Sequence, residues 1–192
     1  MVQVKKQAVR QAIYDSAFDL FSEHGYHQTR LPQIAKGAGV GVGSIYSYFD
    51  SKMALLYAIY EPWQEGCLDD LARRLRGIDN PRDRLRTLLL GIWRDIPMAN
   101  IGLANSLMEA LSSSDPALGK SSGLLKVTEQ RVEALLAEAL PPEAAARLDL
   151  ASLSNLIMMA YDGFVINRRL NDVSDLERLA TSMCDMMLGP EV

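Results

Sequence analysis

The sequence predicts an all-α protein of about nine helices. An N-terminal three-helix, helix-turn-helix domain would precede a larger C-terminal helical bundle. Three observations carry this. Apolar residues recur at three- and four-residue steps through nearly the whole chain. Period-2 alternation of β-branched residues is missing. Helix breakers fall between the periodic stretches: Asp79-Asn80-Pro81, Pro97, Asp115-Pro116, Pro141-Pro142, Asn171-Asp172 and Gly189-Pro190.

The first helix is expected over Lys5–His24. Val9, Ala12, Ile13, Ala17, Leu20 and Phe21 form its apolar face, and Gly25 stands where a C-terminal glycine belongs. A short second helix covers Leu31–Gly37, with Thr29 or Arg30 at its start and Pro32 in its first turn. A third spans Val42–Tyr48. The fourth begins at Ser51, a good N-cap, and runs to Arg76 with a kink at Pro62. Longer segments follow: Pro81–Ile96, Met98–Ser113, Ser122–Ala139, Glu143–Leu170 and Asp175–Leu188. Ser174-Asp-Leu-Glu177 reads as a capping box for the last.

Composition narrows the class. Of 192 residues, 48% are apolar, enough for a sizeable core and too many for a disordered chain. The apolar runs, such as LLLGIW from Leu88 and LIMMAY from Leu156, are too short to span a membrane. The N-terminus lacks the apolar core of a signal peptide. Cys67 and Cys184 have no CxxC spacing and read as free buried thiols, which points to a cytoplasmic protein. Net charge is −4, but it is unevenly spread. Residues 1–53 carry six cations (Lys5, Lys6, Arg10, Arg30, Lys36 and Lys52) against four acids (Asp15, Asp19, Glu23 and Asp50). The remainder is acidic. The asymmetry hints at two jobs.

Gly37–Lys52, GAGVGVGSIYSYFDSK, places four glycines at alternate positions and invites a phosphate-loop reading. The Walker pattern fails because no lysine follows Gly43. The dinucleotide fingerprint fails at its third glycine and lacks a preceding strand. A helix-turn-helix fits instead. Ile34 and Ala35 close one helix, and Gly37 or Gly39 supplies a positive φ. Val40 plugs the gap, and Ile45 and Phe49 point inward. Small residues at the front of the next helix let its backbone approach a duplex closely.

Ala12-Ile13, Ala17, Leu20-Phe21, Glu23, Gly25-Tyr26, Thr29, Ile34-Ala35, Ala38-Gly39-Val40, Gly43-Ser44-Ile45-Tyr46, Tyr48-Phe49 and Ser51-Lys52 closely resemble the DNA-binding domain of the tetracycline-repressor (TetR/AcrR) family. The resemblance spans residues 12–52 without a break in spacing. It implies a DNA-binding domain over residues 1–52 and a ligand-binding and dimerisation domain over 53–192. It also implies a ligand-responsive transcriptional regulator, most simply a repressor. Its partners would be double-stranded operator DNA, a small-molecule effector and a second copy of the chain, with no membrane and no cofactor. Thr29, Arg30, Val42, Gly43, Ser44, Tyr46, Tyr48 and Lys52 are the DNA-binding candidates. Two positions depart from the family pattern: Gly41 replaces a capping Ser, and Arg30 replaces a Thr. The alternative is a helical sensor or protein-interaction module in which DNA binding is lost or secondary.

The remaining motifs are weaker. Gly119-Lys-Ser121-Ser-Gly123 matches a nucleophile elbow, yet SSSDPAL before it is no strand and both histidines lie far upstream. No enzyme is expected. His24-x-x-His27 lacks further ligands, and no metal is expected. In the C-terminal helices, Leu153, Ile157, Ala160 and Phe164, with Leu156 and Val165, line one stripe, and Leu176, Ala180, Met183 and Met187, with Leu179 and Met186, line another. These are the candidate dimer interface, with Gly163 permitting close backbone approach. Trp93, Met108, Tyr161 and Asp162 are the candidate ligand-binding residues.

Overall fold

The computed structural model describes residues 2–113, 122–170 and 175–190, with the side chains of residues 2–5, 122, 124 and 125 excepted. Ser121 of the elbow motif, Ser174 of the expected capping box, and the Asp115-Pro116 and Asn171-Asp172 breakers lie outside these residues. Among those described there is no strand, and the helical class stands. The chain forms two compact units. One comprises Met1–Trp63 with Asn100–Leu118, and the other Gln64–Ala99 with Gly119–Val192.

In the first unit, α1 spans Val2–Gln28 and its helical geometry breaks at Gly25, with φ 80° and ψ 172°. A side chain is strained there, which is why a glycine ends the helix proper. Ile13, Ala17 and Phe21 are fully buried on one face. α2 covers Leu31–Gly37 and buries Ile34 and Ala35. Gly39 takes φ 67° in the turn, and the Val40 amide donates to the Ala35 carbonyl at 2.9 Å. Val40 itself is half-buried. α3 spans Val42–Tyr46, and Gly41 at its start offers no side-chain acceptor. The expected extension to Tyr48 is a turn, which the Phe49 amide closes onto the Ile45 carbonyl at 2.9 Å.

α4 runs over Lys52–Leu75 and contains Pro62. Ser51 caps it, accepting from the Ala54 amide at 3.0 Å. Pro62 has no N–H, so the rung to the Ala58 carbonyl is missing. The chain passes from the first unit to the second within this helix, between Trp63 and Gln64.

The second unit continues with α5, Pro81–Leu90, capped by Asn80, whose Oδ1 accepts from the amides of Arg82 at 2.8 Å and Asp83 at 3.2 Å. A π-helical turn, Gly91–Asp95, leads into α6, Ile96–Ala99. Pro97 therefore does not end the helix as expected. The Ile96 amide reaches back five residues to the Gly91 carbonyl, and Pro97 then falls in the first turn of α6, where a missing N–H costs little. The break comes at Asn100.

α7, Ile101–Ser112, returns to the first unit and packs along α1. Asn100 caps it, accepting from the Leu103 amide at 2.9 Å while its Nδ2 donates to Ser22 Oγ at 2.8 Å. Ser106 Oγ donates to the Phe21 carbonyl at 2.7 Å. At Gly102 the two backbones meet so closely that a Cβ would lie 1.8 Å from the Ser22 carbonyl oxygen.

The second unit is completed by α8 (Ser122–Ala139), α9 (Pro142–Ala145), α10 (Leu150–Arg169) and α11 (Leu176–Leu188). The expected single helix over Glu143–Leu170 is two. Asp149 accepts from the Ser152 amide at 3.1 Å and starts a new helix, so the chain turns between α9 and α10. The cap of α11 is Asp175, which accepts from the Arg178 amide at 3.1 Å. Glu177 pairs with Arg86 and Arg94, each at 2.7 Å.

Candidate nucleic-acid interface

The reading face is mounted from below. Ile45, 1% exposed, and Phe49, 5% exposed, anchor α3 in the core of the first unit. Ile45 leaves its helical neighbours on other sides. Tyr46 projects with 56% of its surface exposed, an unusual position for a large aromatic with no apolar cover. Gly43 is exposed, and Val42, Ser44 and Tyr48 are half-buried. Arg30 at the start of α2 and Lys36 at its end are exposed cations. Arg10 is also exposed, its guanidinium 5.9 Å from the Phe49 ring centroid.

Two candidates take a different role from the one expected. Thr29 is fully buried, and its hydroxyl donates to the carbonyls of Leu20 at 3.0 Å and Gly25 at 2.8 Å. It fastens the turn and has no surface to offer a phosphate. Lys52 is drawn inward as well. Its ammonium donates to the carbonyls of Tyr26 at 2.8 Å and Thr29 at 3.1 Å, and lies 4.0 Å from the Tyr26 ring centroid. Desolvation pushes its pKa below the usual lysine value, partly opposed by the Glu109 carboxylate. Both residues brace the turn behind Arg30. Sequence reasoning gave Glu109 no role at this turn. It lies on α7, and its Oε2 accepts from the His27 amide at 3.2 Å.

Of the ligand-binding candidates, Trp93, Tyr161 and Asp162 belong to the second unit and Met108 to the first. Trp93 is buried, stands 5.4 Å from Phe164 between ring centroids, and donates Nε1 to the Ile157 carbonyl at 3.0 Å. Tyr161 is buried too. Asp162 is half-buried, and desolvation, aided by Glu129, pushes its carboxyl up to about 6.

The dimer candidates divide. Ile157, Ala180 and Met187 are buried in the core of their own chain and cannot meet a partner. Leu153, Ala160, Phe164, Leu176 and Met183 are half-buried. The exposed apolar residues are Leu156, Met159 and Ile166 on α10, Leu170 at its C-cap, and Leu179 and Met186 on α11, so the expected stripes contain Leu156, Leu179 and Met186 of this face and miss the rest. Gly163 sits within the α10 stripe, and a Cβ there would meet nothing.

A short helix carried on a buried anchor, preceded by a glycine turn and flanked by exposed cations, defines a helix-turn-helix protein of the DNA-binding class. Residues 13–59 match the model described as bacterial regulatory proteins, tetR family. The chain is 25% identical over 180 residues to the fatty acid metabolism regulator protein of Bacillus subtilis, covering 92% of each. It is similar in structure to the fatty acid degradation regulator FadR of Bacillus halodurans, with TM-score 0.71, 26% identity, and 94% of this chain and 95% of that one covered. FadR of Bacillus subtilis in complex with stearoyl-CoA shares the fold, with TM-score 0.67, 21% identity, and 94% and 99% covered. Residues 13–59 thus form a DNA-binding domain of the tetR-family type, and the chain is a transcriptional regulator of that kind.

Proposed function

We propose that the protein is a homodimeric repressor that binds a palindromic operator and is released by a small-molecule effector carrying a long acyl chain. The observation that carries the DNA-binding part is Tyr46. It stands outward on α3 beside Gly43 and Ser44, while Ile45 and Phe49 fix the helix from within. Two such helices, related by a two-fold axis and about 34 Å apart, meet successive major grooves. The apolar stripe on α10 and α11 supports a second copy as the partner, because a monomer rarely exposes so many large apolar side chains together.

The acyl effector is supported by what the relatives are called and by the stearoyl-CoA held by one of them. Within the second unit, Trp93 has its N–H satisfied and packs on Phe164, so the surroundings of this pair are apolar, as an acyl chain requires. No catalytic step belongs to this reading, and a serine-reactive phosphonate should leave the protein unlabelled. No helix among the described residues is long and apolar enough to cross a membrane, and we place the protein in the cytoplasm with its DNA.

The test is direct. A duplex is selected by the protein from a random-sequence library, and binding is followed by fluorescence anisotropy with and without stearoyl-CoA. Specific binding lost on adding stearoyl-CoA is expected. Binding with no preference over bulk DNA would overturn the regulator reading, and binding indifferent to stearoyl-CoA would overturn the acyl effector alone.

A further inference from the structure

The turn from Gly25 to Arg30 joins α1 to the helix-turn-helix, so its geometry aims α2. It is held from three sides. Tyr26 stacks on Phe21 with ring centroids 5.9 Å apart. Lys52, at the start of α4, donates to the carbonyls of Tyr26 and Thr29. Glu109 approaches from α7, and its carboxylate accepts the His27 amide at 3.2 Å.

The carboxylate sits so close to residue 25 that a side chain there would push it aside. A Cβ at Gly25 would lie 2.9 Å from Glu109 Oε2 and 3.2 Å from Oε1. Gly25 therefore has two uses. It adopts φ 80°, and it leaves the hollow in which the carboxylate sits. The negative charge also bears on the half-buried Lys52 ammonium, which would otherwise be poorly compensated where it lies.

α7 does not depend on Glu109 for its own seat. Leu103, Ala104, Leu107 and Ala110 bury its apolar face, and Ser106 and Asn100 tie it to α1. Removing the carboxylate would leave α7 in place and take away one of the three holds on the turn.

We propose that Glu109 is a positioning residue for the DNA-reading face, holding from α7 the turn that aims Arg30 and α2. The inference rests on the DNA-binding reading above.

The experiment compares wild type, Glu109→Ala and Glu109→Gln on the duplex that the wild-type protein selects from a random library. Affinity is measured across a salt series, and the folded fraction is measured by circular dichroism under the same conditions. Glu109→Ala is expected to weaken binding about tenfold, the scale of a hydrogen bond to a charged group. Its salt slope should match wild type, because the carboxylate neutralises no phosphate. Glu109→Gln keeps an oxygen for the His27 amide and should recover at least half of the loss on a logarithmic scale.

Wild-type affinity in Glu109→Ala would overturn the proposal. So would a loss explained by a smaller folded fraction, or the absence of recovery in Glu109→Gln. Failure of the wild type to select any duplex would instead count against the DNA-binding reading itself.

Discussion

Gly102 lies against the carbonyl of Ser22 so tightly that a methyl group at its α-carbon would come within 1.8 Å of the oxygen. The atom it would strike is backbone and cannot swing aside. Gly102→Ala should therefore separate α7 from α1 and destabilise the first unit by about 3 kcal/mol, the upper end of ordinary overpacking. Chemical denaturation checks this. A midpoint equal to wild type would mean that the two helices are not packed as described.

Tyr46→Ala should weaken operator binding by about 1–3 kcal/mol. It should leave the thermal midpoint unchanged, because 56% of the side chain already faces solvent. Anisotropy titration and calorimetry on the same sample separate the two effects.

Thr29 and Arg30 are neighbours with opposite expected phenotypes. Thr29→Val removes a buried hydroxyl that serves two carbonyls and should cost about 1–2 kcal/mol of stability. Arg30→Ala should leave stability alone, weaken binding to every duplex, and flatten the salt dependence by about one phosphate. Exchanged outcomes would place the contact at the wrong residue.

Asp162 gives a pH signature. Its pKa rises from 3.8 to about 6 on folding, chiefly through desolvation and secondarily through Glu129. Between those values the folded chain holds more protons at this site than the unfolded chain does. The contribution to stability is full below the lower value and is lost as pH rises through about 6. Asp162→Asn should therefore stabilise the protein near neutrality by about 1–2 kcal/mol after solvent screening, and by nothing in acid. Denaturation at the two pH extremes tests this.

Met159→Glu on the exposed face of α10 should dissociate the proposed dimer and leave each chain folded. Ile157→Glu, two residues away and fully buried, should unfold it. Sedimentation and circular dichroism distinguish these. A dimer that persists in Met159→Glu would place the two-fold contact elsewhere.

Much of this was legible in the sequence. Ile13, Ala17 and Phe21 repeat cleanly and mark α1, and Gly25 and Gly39 both adopt the positive φ expected of a helix end and a tight turn. The roles of Thr29 and Lys52 were hidden because their partners are carbonyls, which no side-chain pattern reports. Glu109 acts across 82 positions of chain, beyond any local spacing. On α10 the outward face was only partly legible because apolar residues lie on more than one side of the helix. Leu153 and Ile157 are as greasy as Leu156 and Met159, so periodicity alone cannot choose which side faces solvent. Pro97 misled for a related reason, since the preceding π-helical turn shifts the hydrogen-bond step that would have forced a stop.

Met159 and Met186 hold 65% and 70% of their surface in the open within a single chain. Thioethers so placed are ready targets for peroxide, and each sulfoxide would set a polar, chiral group in the middle of the greasy stripe. Pairing would shelter both sulfurs. Oxidative damage would then fall on whichever molecules happen to be unpaired and would keep them so, making the persistence of the proposed dimer a matter of redox history as well as concentration.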